Sequence, residues 1–396
     1  MADDPRYEAG PEGTRAFVPQ TLPPVPPPQL DIATQTLLSE ADRSLGRLDM
    51  ISEVLPDADR FVAMFVKQEA VLSSQIEGTQ SSLADVLAAE AGQPELAARD
   101  TPDVLNYVAA MNYGIDRVQT LPLSLRLIRE IHEVLMEGTR GQHADPGSFR
   151  RNQNWIGPER APITHATFIP PTVPTMNAAL GNLEMFLYSA DEMPPLVRCA
   201  ITHAQFETIH PFLDGNGRVG RLFITFQLVE LGVLRQPLLY LSHFFKQNRQ
   251  EYYDRLMQVR LSGDWEQWIG FFLRGVIAVG ADAVATARGI VALREQHLRT
   301  AGGLSSKYAV PLLDLLYKRP ILQINDISEE LGCTFAQANG LVSIFEDRRL
   351  LSEITGRQRN RTYRFDSYLR LFQSSAVADD DVDAVAVEHT GSSDAI

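Results

Sequence analysis

Residues 210 to 221 read His-Pro-Phe-Leu-Asp-Gly-Asn-Gly-Arg-Val-Gly-Arg. Upstream, Met193 to Ile209 carries Leu196, Val197, Ala200, Ile201, Ala204 and Phe206 at helical spacing, and downstream Leu222, Phe223, Phe226 and Val229 resume that period. The string therefore joins two helices. Gly215 and Gly217 allow positive φ and close backbone approach, and the N–H groups that open the second helix have no internal partner, so they can hold phosphate. Arg218 and Arg221, at i and i+3, share one face of that helix's first turn, where the macrodipole disfavours a cation unless an anion lies between them. A bound polyphosphate removes the conflict. Beside it, His210 has the residue type for abstracting one proton near pH 7, and Asp214 offers a carboxylate to a hard cation.

A second segment, Ser73-Ser74-Gln75-Ile76-Glu77-Gly78, closes an amphipathic pattern formed by Phe61, Phe65, Val71, Leu72 and Ile76. Gly78 is a natural helix terminator. A glutamate in the last turn faces the negative end of the dipole, so Glu77 is badly placed unless a cation answers it, and Ser73 lies one turn earlier on the same face. A solvated helix-end carboxylate is the plain alternative.

The string at 210–221 resembles, position for position, the signature of the Fic family, whose members mostly transfer the AMP moiety of ATP to a target hydroxyl. A capping Asp and a buried His beside a Gly-x-Gly turn would account for a shorter match, not for one along the whole string. The resemblance implies that His210 is the general base, that Asp214 holds magnesium (Mg2+) on the nucleotide phosphates, that Gly215, Asn216, Gly217 and Gly220 cradle phosphate, and that Arg218 and Arg221 neutralise the β- and γ-phosphates. Phosphoryl-type transfer, which rests on positioning and charge neutralisation, is compatible with that set. Ser-x-x-x-Glu-Gly resembles the inhibitory motif of the class that carries its inhibitory helix N-terminally, where Glu77 would pair with Arg221 and keep the γ-phosphate from seating. Autoinhibited transfer to a Ser, Thr or Tyr of a protein target, self-modification included, is the implied activity. Removal of AMP through a Glu77-activated water stays open beside it.

The chain has 396 residues, enough for two or three cores, a net charge of −14, and only two cysteines, Cys199 and Cys333, too few for a disulfide framework or a Cys-based zinc site. That charge argues against attraction of the whole surface to nucleic acid or anionic membrane. The acidic start Met-Ala-Asp-Asp-Pro, and the lack of eighteen uninterrupted apolar residues, lead to the expectation of a soluble, cytoplasmic protein with no membrane partner.

The organisation expected is mainly α: a proline-rich extended segment over 1–30, a helical region with the inhibitory helix over 31–115, a helical catalytic body over 116–290, a linker helix and winged helix-turn-helix over 291–373, and a disordered acidic tail over 374–396. Within the body, residues 149 to 173 alternate apolar residues with prolines and read as a short hairpin. They resemble the Fic β-hairpin flap, which pairs with the target backbone. The stretch Tyr240 to Tyr253 resembles the part of long-chain Fic proteins that closes over adenine; Asn248 would supply an amide, and at most one of Tyr252 and Tyr253, assigned as Tyr253, would face the nucleotide. Gln205 is assigned to the same pocket. His203, two turns before His210, reads as a satisfied core histidine.

In the C-terminal module, Tyr308–Tyr317, Ile324–Leu331 and Phe335–Arg349 follow helical patterns, Thr334 is a natural N-cap, and residues 351–355 and 361–365 read as two strands around a polar turn. Over 305–373 ten Lys or Arg stand against eight Asp or Glu, a balance of +2, with Arg357, Arg359, Arg361 and Arg364 on the wing. The start of the third helix offers Gln337, Asn339 and Ser343 but no cation, so protein contact or a homodimer is favoured over sequence-specific DNA binding. A winged-helix regulator that uses the Fic body as a nucleotide sensor is the alternative outside enzymology.

Overall fold

A computed structural model of the chain describes residues 4–54, 58–138, 145–158, 161–189 and 193–373. The acidic tail expected to be disordered lies outside the described residues. The elements in chain order are β1 (Tyr7–Ala9), β2 (Arg15–Phe17), α1 (Ile32–Val54), α2 (Ala58–Ile76), α3 (Leu83–Glu90), α4 (Thr101–Val118), α5 (Leu125–Met136), α6 (Val173–Leu187), α7 (Pro195–Ile209), α8 (Asn216–Glu230), α9 (Ser242–Gln247), α10 (Arg249–Ser262), α11 (Trp265–Gly302), α12 (Ala309–Lys318), β3 (Ile321–Gln323), α13 (Ile324–Glu330), α14 (Phe335–Asp347), β4 (Ser352–Glu353), β5 (Thr362–Arg364) and α15 (Asp366–Gln373). The fold is mainly helical, as the periodicity requires.

Two compact units result. One comprises Met1–Ser52, Phe65–Gln80 and Arg99–Ala281; the other comprises Glu53–Met64, Ser81–Ala98 and Asp282–Ile396. The centre of the first is the pair α7 and α8, which pack on each other across the short His210–Gly215 connection. Every residue of α7 from Leu196 to Ile209 is buried, and so is most of α8. A helix buried all round must satisfy its polar groups internally. α4 and α5 pack on α8, and α6 and α10 on α7. On α4, Gly114 meets the ring of Phe226 so closely that a Cβ there would collide with it, so α4 reaches α8 only with glycine at that position. α5 buries Leu127, Ile128, Ile131, His132, Leu135 and Met136 on one face and opens on a Ser124 side chain that accepts from Leu127 N. α11 is long and apolar enough to cross a membrane by length and composition. Its first third instead lies in the core, with Trp268, Ile269, Phe271, Phe272, Leu273 and Val276 buried and Trp268 Nε1 donating to Ala200 O at 2.8 Å.

The N-terminal segment is not simply extended. β1 and β2 form an antiparallel hairpin, Tyr7 opposite Phe17, around Gly10–Gly13. The prolines that dominate the segment's composition lie mostly after it, so composition hid a short alternating pair. The segment lies along its unit: Glu8 accepts from Thr172 N and Thr175 Oγ1 at the start of α6, and Leu22 and Asn182 exchange two hydrogen bonds.

The expected flap hairpin shrinks to one antiparallel bridge, Ile156 with Phe168. Pro158, Pro162, Pro170 and Pro171 lack the N–H groups a longer ladder needs.

In the second unit, α12, β3, α13, α14, β4, β5 and α15 follow one another, and the sheet has the order β3-β5-β4, antiparallel throughout. Its third strand, β3, was not expected from the sequence, since three residues after Pro320 are too few to show alternation. Thr334 caps α14 in a reciprocal box with Gln337.

Candidate active site

α7 ends where His210 takes φ 50°, ψ 60°, and Pro211 follows, so the helix cannot continue. A non-glycine residue in the left-handed region is strained and needs support. The support is a cage of hydrogen bonds. Arg150 Nε and Asn154 Nδ2 both donate to His210 O, at 3.1 and 3.2 Å; Arg150 N donates to Pro211 O at 2.9 Å. Asn154 Nδ2 also donates to Phe212 O. Asn216 accepts from Phe212 N and donates to Phe212 O, each at 2.8 Å, while Gly215 turns the chain at φ 77°. The Asn216 side chain is thus engaged in building the loop. Arg150 is buried, and burial lowers its guanidinium to about 10, still protonated at neutral pH; its other donors reach Asn152 O and Pro171 O.

The His210 imidazole is pushed down to about 4, first by burial and then by the Arg260 charge, so it is neutral at pH 7. Its Nδ1 is buried without a hydrogen-bond partner among the described residues. Asp214 is 59% exposed on its side chain; its Oδ1 accepts from Gly215 N at 2.6 Å and lies 3.8 Å from Arg218 Nη2. Arg218 is folded in against Met136 Sδ, and its buried Nε has no hydrogen-bond partner among the described residues.

Glu77 and Ser73 meet Arg221. Arg221 Nη2 donates to Glu77 Oε1 at 2.7 Å and to Ser73 O at 3.0 Å, and its Nε donates to Ser73 Oγ at 2.8 Å. Burial alone would raise the Glu77 carboxyl, but the Arg221 guanidinium outweighs it and holds the group below the usual carboxylate range. The carboxylate lies directly over Gly217, where a Cβ would collide with Glu77 Oε1. An anionic group therefore already occupies the first turn of α8, as the unpaired N–H groups and two arginines there require.

The remaining sequence-assigned residues divide. Tyr253 is on the exposed side of α10, with Arg249 over its ring at 5.7 Å; burial first and the Glu77 charge second push its hydroxyl up, and the Arg221 charge offsets this only in part. Tyr252 is core: its hydroxyl lies 2.9 Å from His203 Nε2, and His203 Nδ1 is 3.0 Å from Gly220 O, so His203 is satisfied on both nitrogens. Asn248 Nδ2 donates to Phe244 O at the junction of α9 and α10, and Gln205 Nε2 donates to Gln20 O at 2.7 Å in the N-terminal segment. Neither of these amide bonds is to the loop. The structure adds two buried carboxyls instead. Glu69, two turns before Glu77, accepts from Tyr107 OH at 3.1 Å and from Ser242 Oγ, and burial raises it to about 7. Glu207, one turn before His210, lies against Gly220 and is likewise raised to about 7 by burial.

Residues 35–116 match the Fic/DOC family N-terminal domain, and residues 122–228 match the Fic/DOC family. The two matched stretches together make up just under half of the chain. It is 28% identical over 243 residues to the protein adenylyltransferase Fic of Drosophila mojavensis, covering 59% of this chain and 44% of that protein. To the protein of the same name in Drosophila ananassae it is 29% identical over 175 residues, 43% of this chain and 31% of that protein. The chain thus spans less than half the length of these curated relatives. A crystal structure of a Fic family protein from Desulfovibrio desulfuricans G20 superposes on 86% of this chain and 97% of that one, with a TM-score of 0.56 at 20% identity, a likeness of fold. The Fic match contains Arg150, Asn154 and the whole loop from His210 to Arg221, and the Fic N-terminal match contains Glu69, Ser73 and Glu77. Asn248, Tyr253 and the C-terminal module lie beyond both.

Proposed function

We propose that this Fic-domain chain is an autoinhibited protein adenylyltransferase that moves AMP from ATP to a Ser, Thr or Tyr hydroxyl of a protein target, itself included. The observation that carries the reading is the Glu77 carboxylate held by Arg221 over Gly217, beside a neutral His210. The target hydroxyl oxygen attacks the α-phosphorus, its proton passes to His210, and the bond from the α-phosphorus to the bridging oxygen breaks to release pyrophosphate. Arg218 and Arg221 offset the phosphate charge. With Glu77 in place, Arg221 is occupied and the γ-phosphate meets a carboxylate instead of a cation.

Among the described residues no three His, Cys, Asp or Glu side chains gather to hold a metal. An exposed single carboxylate suits magnesium, which keeps several waters and binds through one or two carboxylates and substrate phosphates. Asp214 would hold it, and it would supply charge neutralisation on the phosphates. Tyr253, Asn248 and Gln205 remain assigned to the nucleotide side; for Asn248 and Gln205 this requires exchange of their present bonds to Phe244 O and Gln20 O.

Removal of AMP is a second reading, supported by Glu77 being 38% exposed and ionised, within reach of water. The module over 305–373 has the element order of a winged helix. Three of its wing cations are engaged, Arg357 with Glu95, Arg361 with Asn339 and Arg364 with Asp366, which supports protein contact or a homodimer over DNA binding. A cytoplasmic location remains part of the proposal.

The test is incubation of the Glu77→Gly protein and a cell lysate with magnesium and ATP labelled on either the α- or the γ-phosphate. Label from the α-position alone, with an adenylyl mass added to a hydroxyl residue, is expected. Label from the γ-position would make the protein a kinase and overturn the reading.

A further inference from the structure

We propose that His132 is a positioning residue that fixes the main chain of the Asp214 turn from beneath, and so the direction in which Asp214 presents its carboxylate. The inference rests on the adenylyltransferase reading for its consequence, though its geometry stands alone.

His132 lies on the buried face of α5 among Leu127, Ile128, Ile131, Leu135 and Met136. An imidazole there with an unsatisfied nitrogen is destabilising, so its polar atoms must be answered. Both are. Gly147 N lies 3.0 Å from Nδ1, and Asp214 O lies 3.2 Å from Nε2. A backbone amide only donates and a carbonyl only accepts, so a single tautomer fits, with Nδ1 bare and the proton on Nε2. The ring also stacks on Phe212, with centroids 3.7 Å apart and planes 8° from parallel. It therefore touches the catalytic loop at two points, Phe212 and Asp214 O.

The Gly147 end gives this contact a second purpose. Gly147 opens the segment whose Arg150 and Asn154 hold His210 O. One turn further along α5, Met136 Sδ meets Arg218 Nη2 at 3.6 Å. His132 thus ties the support of the base to the turn that presents the Asp214 carboxylate, and touches neither His210 nor that carboxylate itself. Groups one shell out from a metal ligand commonly change metal affinity by about 10–100-fold when removed.

Three substitutions separate the two hydrogen bonds. A glutamine amide can reach where Nε2 does, an asparagine carbonyl only where Nδ1 does, and a phenylalanine keeps the stack alone. In the Glu77→Gly background, His132→Phe and His132→Asn should need about tenfold more magnesium for half-maximal transfer, with a smaller change in the ATP requirement, and should bind Mn2+ correspondingly more weakly. His132→Gln should recover most of the loss. Ring 15N shifts of His132 in the otherwise unaltered protein at pH 7 should show a protonated Nε2 and a bare Nδ1. A proton on Nδ1, or an unchanged magnesium requirement in folded His132→Phe, would overturn the proposal. Should a variant fail to fold, the ring shifts decide. Should the Glu77→Gly protein transfer nothing, the functional reading falls, while the ring shifts and Mn2+ affinities still decide the role of His132.

Discussion

Removing the Glu77 carboxylate measures what its pair with Arg221 contributes. The Arg221 side chain is 2% exposed and that of Glu77 38%. A pair of exposed side chains contributes about 0–1 kcal/mol, whereas stripping one partner from a fully buried pair costs about 3–5 kcal/mol. This pair lies between those limits. Solvent screens the carboxylate, yet the guanidinium that loses it stays buried with, among the described residues, Ser73 Oγ and Ser73 O as its hydrogen-bond partners. A loss of about 1–3 kcal/mol is expected at pH 7 in Glu77→Gly. Glu77→Ala controls for the backbone entropy of glycine. Chemical unfolding of wild type and both variants, with and without magnesium and ATP, supplies the assay. At a hundred times its dissociation constant, ATP should restore about 2.7 kcal/mol to either variant and less to the wild type, because Glu77 competes for the same guanidinium. Equal stability without nucleotide, together with an equal nucleotide shift, would refute the pairing as the reason Glu77 occupies this place.

Asp214→Asn should raise the magnesium requirement and lower activity, since a neutral amide is a poorer ligand for a hard dication; full activity in chelator would make Asp214 a structural residue only. Glu69 holds a proton in the folded state that the unfolded chain has lost between its ordinary value of 4.5 and about 7, so folding stability should fall as pH rises through that window. Glu69→Gln should be the more stable form above pH 7, by at most about 3 kcal/mol, with a flatter profile between pH 4.5 and about 7; some slope should persist because Glu207 is raised to a similar value. Parallel profiles for wild type and Glu69→Gln would remove Glu69 as the source. Replacing Arg357, Arg359 and Arg361 together by Ala should leave self-modification unaltered if the module chooses partners, and a parallel loss of self-modification would instead tie it to the catalytic body or a required dimer.

The parts of the site legible in the sequence are those where residue identity carries the chemistry. The loop from His210 to Arg221 packs an imidazole, a carboxylate, three glycines and two guanidiniums into consecutive positions, and Glu77 stands out as a carboxylate at the wrong end of a helix. The supports were not legible. Arg150, Asn154 and His132 act on main-chain carbonyls and amides, which every residue has, so no spacing announces them. Glu69 and Glu207 occupy helical positions where a carboxylate is ordinarily solvated, and only the packing of α2 and α7 buries them. The amides of Asn248 and Gln205 have chemistry that serves capping and segment anchoring as readily as a nucleotide, and the structure shows the former. In the fold, long periodic helices such as α7 and α14 were readable, whereas β3 and the β1–β2 hairpin, each strand three residues long, fell below the length at which alternation is visible.

In the proposed function, Glu77 restrains a transfer carried out by His210. The initial rate of self-labelling from α-labelled ATP tests it most directly, compared between wild type, Glu77→Gly, and Glu77→Gly combined with His210→Ala. Coupling of about 1–3 kcal/mol corresponds to about a 5–150-fold rise on removing Glu77. Removing the base as well should lower the rate by about two to four orders of magnitude. A Glu77→Gly rate equal to wild type across ATP concentrations would rule out restraint by Glu77, and a double variant as fast as Glu77→Gly would rule out His210 as the base.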